Sequence, residues 1–168
     1  MGKALRYFLN GFPGAISRAV DDIVISIANK ETTNPIAFGE AVFINSAGTG
    51  AIKYAEGTTA FESQFIGIAV RSASKTPDAY DPDPVTRRNE GSYQPREIMD
   101  VITRGRVVVR ADSATRGWPV YFIPSTGHFT KSAGTSPNTN ILVPNAHFGS
   151  GADTGGCAEI VLNERNVL

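Results

Sequence analysis

Between Ile98 and Arg110 the chain runs Ile-Met-Asp-Val-Ile-Thr-Arg-Gly-Arg-Val-Val-Val-Arg, and no other stretch limits the possible folds so tightly. It is rich in β-branched residues and bounded by turn formers, the signature of a strand. Alternate residues of a strand fall on opposite faces. The spacing therefore predicts one face of Val101, Thr103, Gly105, Val107 and Val109, and another of Ile102, Arg104, Arg106, Val108 and Arg110. Ala111 to Gly117 then turns the chain, and Val120, Tyr121 and Phe122 return as a second strand. This hairpin is expected at the centre of a β domain.

The rest of the chain suits that expectation. Its 168 residues fit one domain, and a chain of this size buries roughly 68–70% of its unfolded surface, enough for a core without staples. Gly, Ala, Ser and Thr are abundant while helix-period patterns are scarce, which favours short strands and turns. Formal net charge is zero, so no overall field draws nucleic acid or an anionic membrane. A single cysteine, Cys157, excludes an internal disulfide and fits a reducing site of synthesis. No apolar run approaches the ~20 residues of a membrane span. Lys3 and Arg6 are followed by no apolar core segment, so a signal peptide is not expected.

Taken in order, residues 1–18 read as an N-terminal arm, because Gly11, Pro13 and Gly14 break any periodicity among Tyr7, Phe8, Leu9 and Phe12. Such an aromatic segment either folds onto its own core or packs on a neighbour. Residues 19–168 form the expected β domain. Ile23, Ile25 and Ile27 alternate with Asp22, Val24 and Ser26 in a half-buried strand. Further strands are expected within Ile36 to Asn45 with a turn or bulge at Gly39, at Ala51 to Ala55, at Phe65 to Arg71, at His128 to Lys131, at Ile141 to Val143 and at Ala158 to Leu162. Ser72 to Glu97 carries Pro77, Pro82, Pro84 and Pro95 and reads as an extended loop, either disordered or laid over a partner.

Gly39-Glu40-Ala41-Val42-Phe43-Ile44 is similar to Gly117-Trp118-Pro119-Val120-Tyr121-Phe122, at an offset of 78 that also relates Lys53 to Lys131. This suggests two similar β halves facing each other across one core, in a sandwich or barrel.

Chemistry is hard to place on this chain. His128, His147 and Cys157 lack metal-ligand spacing. There is no Gly-x-Ser-x-Gly elbow, and Gly149-Ser150-Gly151 is followed by no Gly-Lys-Ser/Thr. Asp78, Asp81 and Asp83 lack the calcium-loop pattern. No enzyme activity and no cofactor are expected. Arg104, Arg106 and Arg110 read either as a solvated face whose stems cover apolar surface or as a stripe for carboxylates.

Five segments, Phe8 to Arg18, Asp22 to Ser26, Phe38 to Val42, Phe65 to Arg71 and Asp100 to Gly105, resemble the structural cement, or head decoration, proteins of tailed bacteriophages. The resemblance implies a structural virion protein with a single jelly-roll-like β-sandwich or barrel body. It would be made in the host cytoplasm and added to the outer surface of the head. There it would clamp the lattice of the major capsid protein against DNA pressure, as a homotrimer, without contacting nucleic acid or membrane. The resemblance carries nothing over for the Ser72 to Glu97 loop, and the contact residues expected from the chain itself come from three places. Tyr7, Phe8, Leu9, Phe12 and Arg18 belong to the arm. Tyr80, Arg87 and Arg88 belong to the loop, and Arg104, Arg106 and Arg110 to the central strand. The competing expectation is a receptor- or glycan-binding β module of a tail or head fibre, with Trp118 as its platform. Packing in the core or at its rim is the plainer role for Trp118.

Overall fold

The computed structural model describes residues 10–54, 64–72, 91–135 and 138–163. They are mainly β. The strands are β1 (Ile16–Ala28), β2 (Ile36–Ala37), β3 (Ala41–Ile44), β4 (Ala51–Ile52), β5 (Phe65–Ala69), β6 (Ser92–Tyr93) and β7 (Ile98–Ser113). They continue with β8 (Pro119–Phe122), β9 (Phe129–Thr130), β10 (Gly134–Thr135), β11 (Asn138–Thr139), β12 (Ile141–Phe148) and β13 (Cys157–Leu162). β2 pairs with β6 and β10 with β11, outside the main sheet.

The main sheet runs β13-β12-β8-β9-β7-β5-β3-β4, with β1 and β13 also on β7. Two barrel-like rings result, and they share β7. In one, β7-β5-β3-β4 is closed by β1, which pairs with β7 and bridges Ala51 in parallel through Asn29. In the other, β7-β9-β8-β12-β13 closes where Cys157–Leu162 meets Arg110–Gly105. Each ring has its own core. The first holds Ile36, Phe38, Val42, Ile66, Tyr93, Met99 and Val101. The second holds Ile102, Val107, Val109, Val120, Phe122, Phe129, Val143, Phe148 and Ile160. The expectation of two halves facing each other across one core is therefore corrected. The halves lie side by side, and the central strand is apolar on both faces because it serves both cores.

The offset of 78 is structural. β3 and β8 start that far apart, as do β4 and β9. Phe43↔Ile52 and Ile44↔Ala51 are repeated as Tyr121↔Thr130 and Phe122↔Phe129. Gly39 (φ 76°) and Gly117 (φ 82°) open the paired strands in the same left-handed turn, where glycine avoids the Cβ penalty. The later pairings repeat as well, Ile68↔Ile102 and Ala69↔Val101 as His147↔Val161 and Phe148↔Ile160.

Several expectations change. β7 and β8 are not a hairpin, because β9 lies between them and runs parallel to β7. The β8–β9 hairpin turns at Gly127 instead. The two faces read for β7 also exchange. Ile102 enters the second core from an even position, whereas Val107, Val109 and Ala111 enter it from odd ones. Gly105, at φ 123°, makes that switch beneath a bulge in which β1 spends Arg18 to Ile23 against Arg106 to Arg104. The end of the proline-rich segment is built into the body, since Tyr93 is fully buried and donates its hydroxyl to Val70 O at 2.9 Å. Residues 73–90 lie outside the described residues. Ile141–Phe148 is one strand despite Pro144, with Asn145 at φ 53° taking up the shift in register.

Candidate functional site

From Asn10 onward the N-terminal segment is tied to its own body. The Asn10 side chain donates to Gly151 O and Cys157 O. Gly14 N–H donates to Val108 O at 2.8 Å, Val108 N–H to Ala15 O, and Arg71 N–H to Gly14 O. Val108 is buried beneath this segment. Phe12 remains 44% exposed and lies over the Arg71 guanidinium at 5.1 Å, with Phe38 at 5.4 Å. This cation–π stack fixes the ring in place. Burial lowers the Arg71 pKa from its ordinary value. Tyr7, Phe8 and Leu9 lie outside the described residues, as do Tyr80, Arg87 and Arg88. The backbone of Arg18 pairs with Arg106, and its side chain is likewise outside what is described.

The arginines of β7 do not form one stripe. Arg104 pairs with Asp21 at the surface. Arg106 donates to Glu159 at 2.8 Å, and Glu159 is largely buried and also accepts from Ser17. Both arginines line a recess of about 400 Å³ with Asp21, Asp22, Gly105, Val161 and Asn163. Asp22 Oδ2 is buried there without a hydrogen bond. Arg110 lines a different recess of about 180 Å³ at the seam of the rings, with Phe38, Glu40, Lys53 and His128. Arg106 and Arg110 keep one parity beyond the Gly105 bulge, and the N-terminal segment bound to Val108 stands between them, a division that no alternation in the sequence reveals.

What these surfaces offer is shape and charge for contact. Among the described residues no three His, Cys, Asp or Glu side chains gather to hold a metal. His128 Nδ1 lies 2.6 Å from Asp112 and Cys157 is buried. Trp118 is 51% exposed, at the rim of the second ring, with the Lys131 ammonium 5.1 Å from its ring. The repeat explains that contact. In the first half the equivalent lysine, Lys53, pairs with Glu40 at 3.0 Å, and Glu40 stands where Trp118 does in the second.

A family model described as structural cement protein (E217 gp24/Pam3 gp6) matches residues 5–163. Among solved structures, a chain from "The capsid of Myoviridae Phage XM1" shares the fold, with a TM-score of 0.65 and 17% identity over 96% of this chain and 95% of that one. No curated protein matches the chain.

Proposed function

Because this chain belongs to the family of phage structural cement proteins, we propose that it binds the outer surface of a tailed-phage head. There it stabilises the lattice of the major capsid protein against the pressure of packaged DNA. The match over residues 5–163 carries this reading. The architecture agrees with it: a rigid body of two fused rings offers exposed contacts on several sides. Its partners are the major capsid protein and two further copies of itself, and its place is the outside of the virion. Zero net charge gives it no pull towards nucleic acid or membrane.

Tyr7, Phe8 and Leu9 of the arm, with Tyr80, Arg87 and Arg88 of the loop, serve as contact elements. Phe12, Arg18, Arg104, Arg106 and Arg110 contribute from the body. Because Arg104 and Arg106 already hold carboxylates, they act by presenting an ordered surface and not as free cations. A trimer touching the shell three times raises avidity by about 10²–10⁴ over one contact. Modest individual contacts are then sufficient.

The test is a pelleting assay with expanded heads lacking this protein and with unexpanded procapsids, counting bound copies per shell. Saturable binding to expanded heads at a stoichiometry matching lattice positions is expected, and Tyr7→Ala with Phe8→Ala weakens it without unfolding the body. Absence of binding to both shells would overturn the proposal.

A further inference from the structure

One exposed arginine is held in a backbone conformation that nothing within the chain repays. Gln94-Pro95-Arg96-Glu97 is a tight turn, closed by Glu97 N–H donating to Gln94 O at 3.2 Å. With proline second and a left-handed third residue it is a type II turn, whose third position ordinarily falls to glycine or asparagine. Here that position is Arg96, at φ 69°. Such an outlier costs free energy and persists where its surroundings over-determine it. They do so here. Arg96 N–H donates to Asn29 O at 3.0 Å, and Asn29 N–H donates to Glu97 O at 2.8 Å. Asn29 is fully buried and gives its side-chain amide to Tyr93 O and Gln94 O. The Glu97 carboxylate accepts from Gln94 N–H at 2.7 Å.

What this framework holds out is a free cation. Arg96 is exposed, and among the described residues its guanidinium has neither hydrogen bond nor ion pair. Lys30, which follows Asn29 across the ladder, is exposed and unpaired in the same way. The carboxylates beside them are already engaged by backbone, Glu97 as above and Glu31 by Lys53 N–H at 2.8 Å. Ile98, two residues past Arg96, is 63% exposed, more than any other large apolar residue described.

We infer that this tip, with Arg96 at its point and Lys30 and Ile98 beside it, docks on a carboxylate-bearing protein surface. The inference deepens the head binding proposed above and rests on that reading, so the occupant is the outer surface of the capsid shell. Two cations without internal partners are complemented by an anionic surface, and a guanidinium pairs with a carboxylate through two parallel hydrogen bonds. Ile98 adds the apolar contact of a protein interface. Because the turn is rigid before docking, little ordering entropy is lost on contact. That gain accounts for an arginine where glycine would fit the backbone better.

The test is the pelleting assay with expanded heads, run beside urea denaturation of each variant. Arg96→Gly should weaken binding about tenfold or more, as loss of an anchoring arginine does. Its unfolding midpoint should be unchanged or raised, because glycine accepts left-handed backbone; a merely structural arginine would lower it. Arg116→Asn removes the same charge from an exposed residue of the second ring and should leave binding unchanged. Arg96→Lys places a primary amine at the tip, and a carbodiimide should join it to an Asp or Glu of the major capsid protein, located by peptide mass mapping. If the parent protein binds but Arg96→Gly binds as well, or Arg116→Asn loses as much, this inference alone is overturned. A cross-link from position 96 to a second copy of this chain, or none at all, overturns it too. Failure of the parent to bind heads overturns the cement reading and this one with it.

Discussion

Replacing Gly105 by alanine tests the idea that β7 exchanges its faces through one glycine. The residue sits at φ 123°, a conformation that costs a side-chain-bearing residue about 1–3 kcal/mol. A Cβ there would also lie 2.8 Å from Asp22 Cγ and 3.1 Å from Asp22 Cα, overlapping the Oδ1 atom. Asp22 must then swing away and give up its long contact of 3.4 Å with the Arg106 N–H, a loss of no more than about 0.5–1 kcal/mol at that length. Gly105→Ala is therefore expected to lower unfolding free energy by about 2–4 kcal/mol. Urea denaturation measures it, with the m-value as a check that the unfolded state is unchanged. Asp22→Ala separates the two causes. Alone it removes a buried, unpartnered carboxylate oxygen and is expected to be near neutral. Combined with Gly105→Ala it should recover the overlap and leave the backbone strain. A Gly105→Ala protein within about 0.5 kcal/mol of the parent would refute the reasoning, as would full recovery in the double variant.

Three further outcomes are expected. Gly67→Ala should destabilise severely, because its Cβ would overlap the Ile102 carbonyl oxygen and lie 2.9 Å from the carbonyl carbon, a backbone obstacle that no rotamer relieves; thermal melting reads it. Arg106→Ala should cost more than Arg104→Ala by about 1–3 kcal/mol in denaturant titrations, since only the former strands a largely buried carboxylate, Glu159. Burial raises the Tyr93 pKa above its usual value of 10.0. The unfolded chain thus loses its phenolic proton first, and the stability tied to this group is present below about pH 10 and lost as pH rises further. Tyr93→Phe should remove that alkaline loss while costing about 1 kcal/mol at neutral pH for the missing bond to Val70 O; unfolding midpoints at pH 8 and above pH 10 compare the two.

Much of the β architecture was legible because period-two alternation survives wherever one face meets a core. Ile25 and Ile27 pack inward while Val24 and Ser26 point out. The repeat was legible from six residues and two lysines because β3–β4 and β8–β9 keep one offset and one register. Illegible features were those set by distant chain. Whether β8 pairs with β7 depends on β9, which enters between them in parallel, and nothing in the turn at 111–117 encodes that. Gly105 looked like a strand glycine, and only its opposition to Asp22 across the bulge reveals an exchange of faces. Tyr93 lay among prolines and charges, so its place in the first core could not be read from local composition. Among the expected contact residues, Arg104, Arg106 and Arg110 share a sequence parity but not a surface.

The shared strand also dictates an order of events. The partners that close the first ring on β7 precede it in the chain, so that ring can form once the chain through Val107 has left the ribosome. The far half of β7 then stands as a template edge on which β9 and β13 assemble. Neither ring is separable afterwards, since a break in β7 opens both. Tandem repeats whose modules meet only at interfaces can melt module by module. Here the two halves have one strand between them, and denaturant should meet a single cooperative transition.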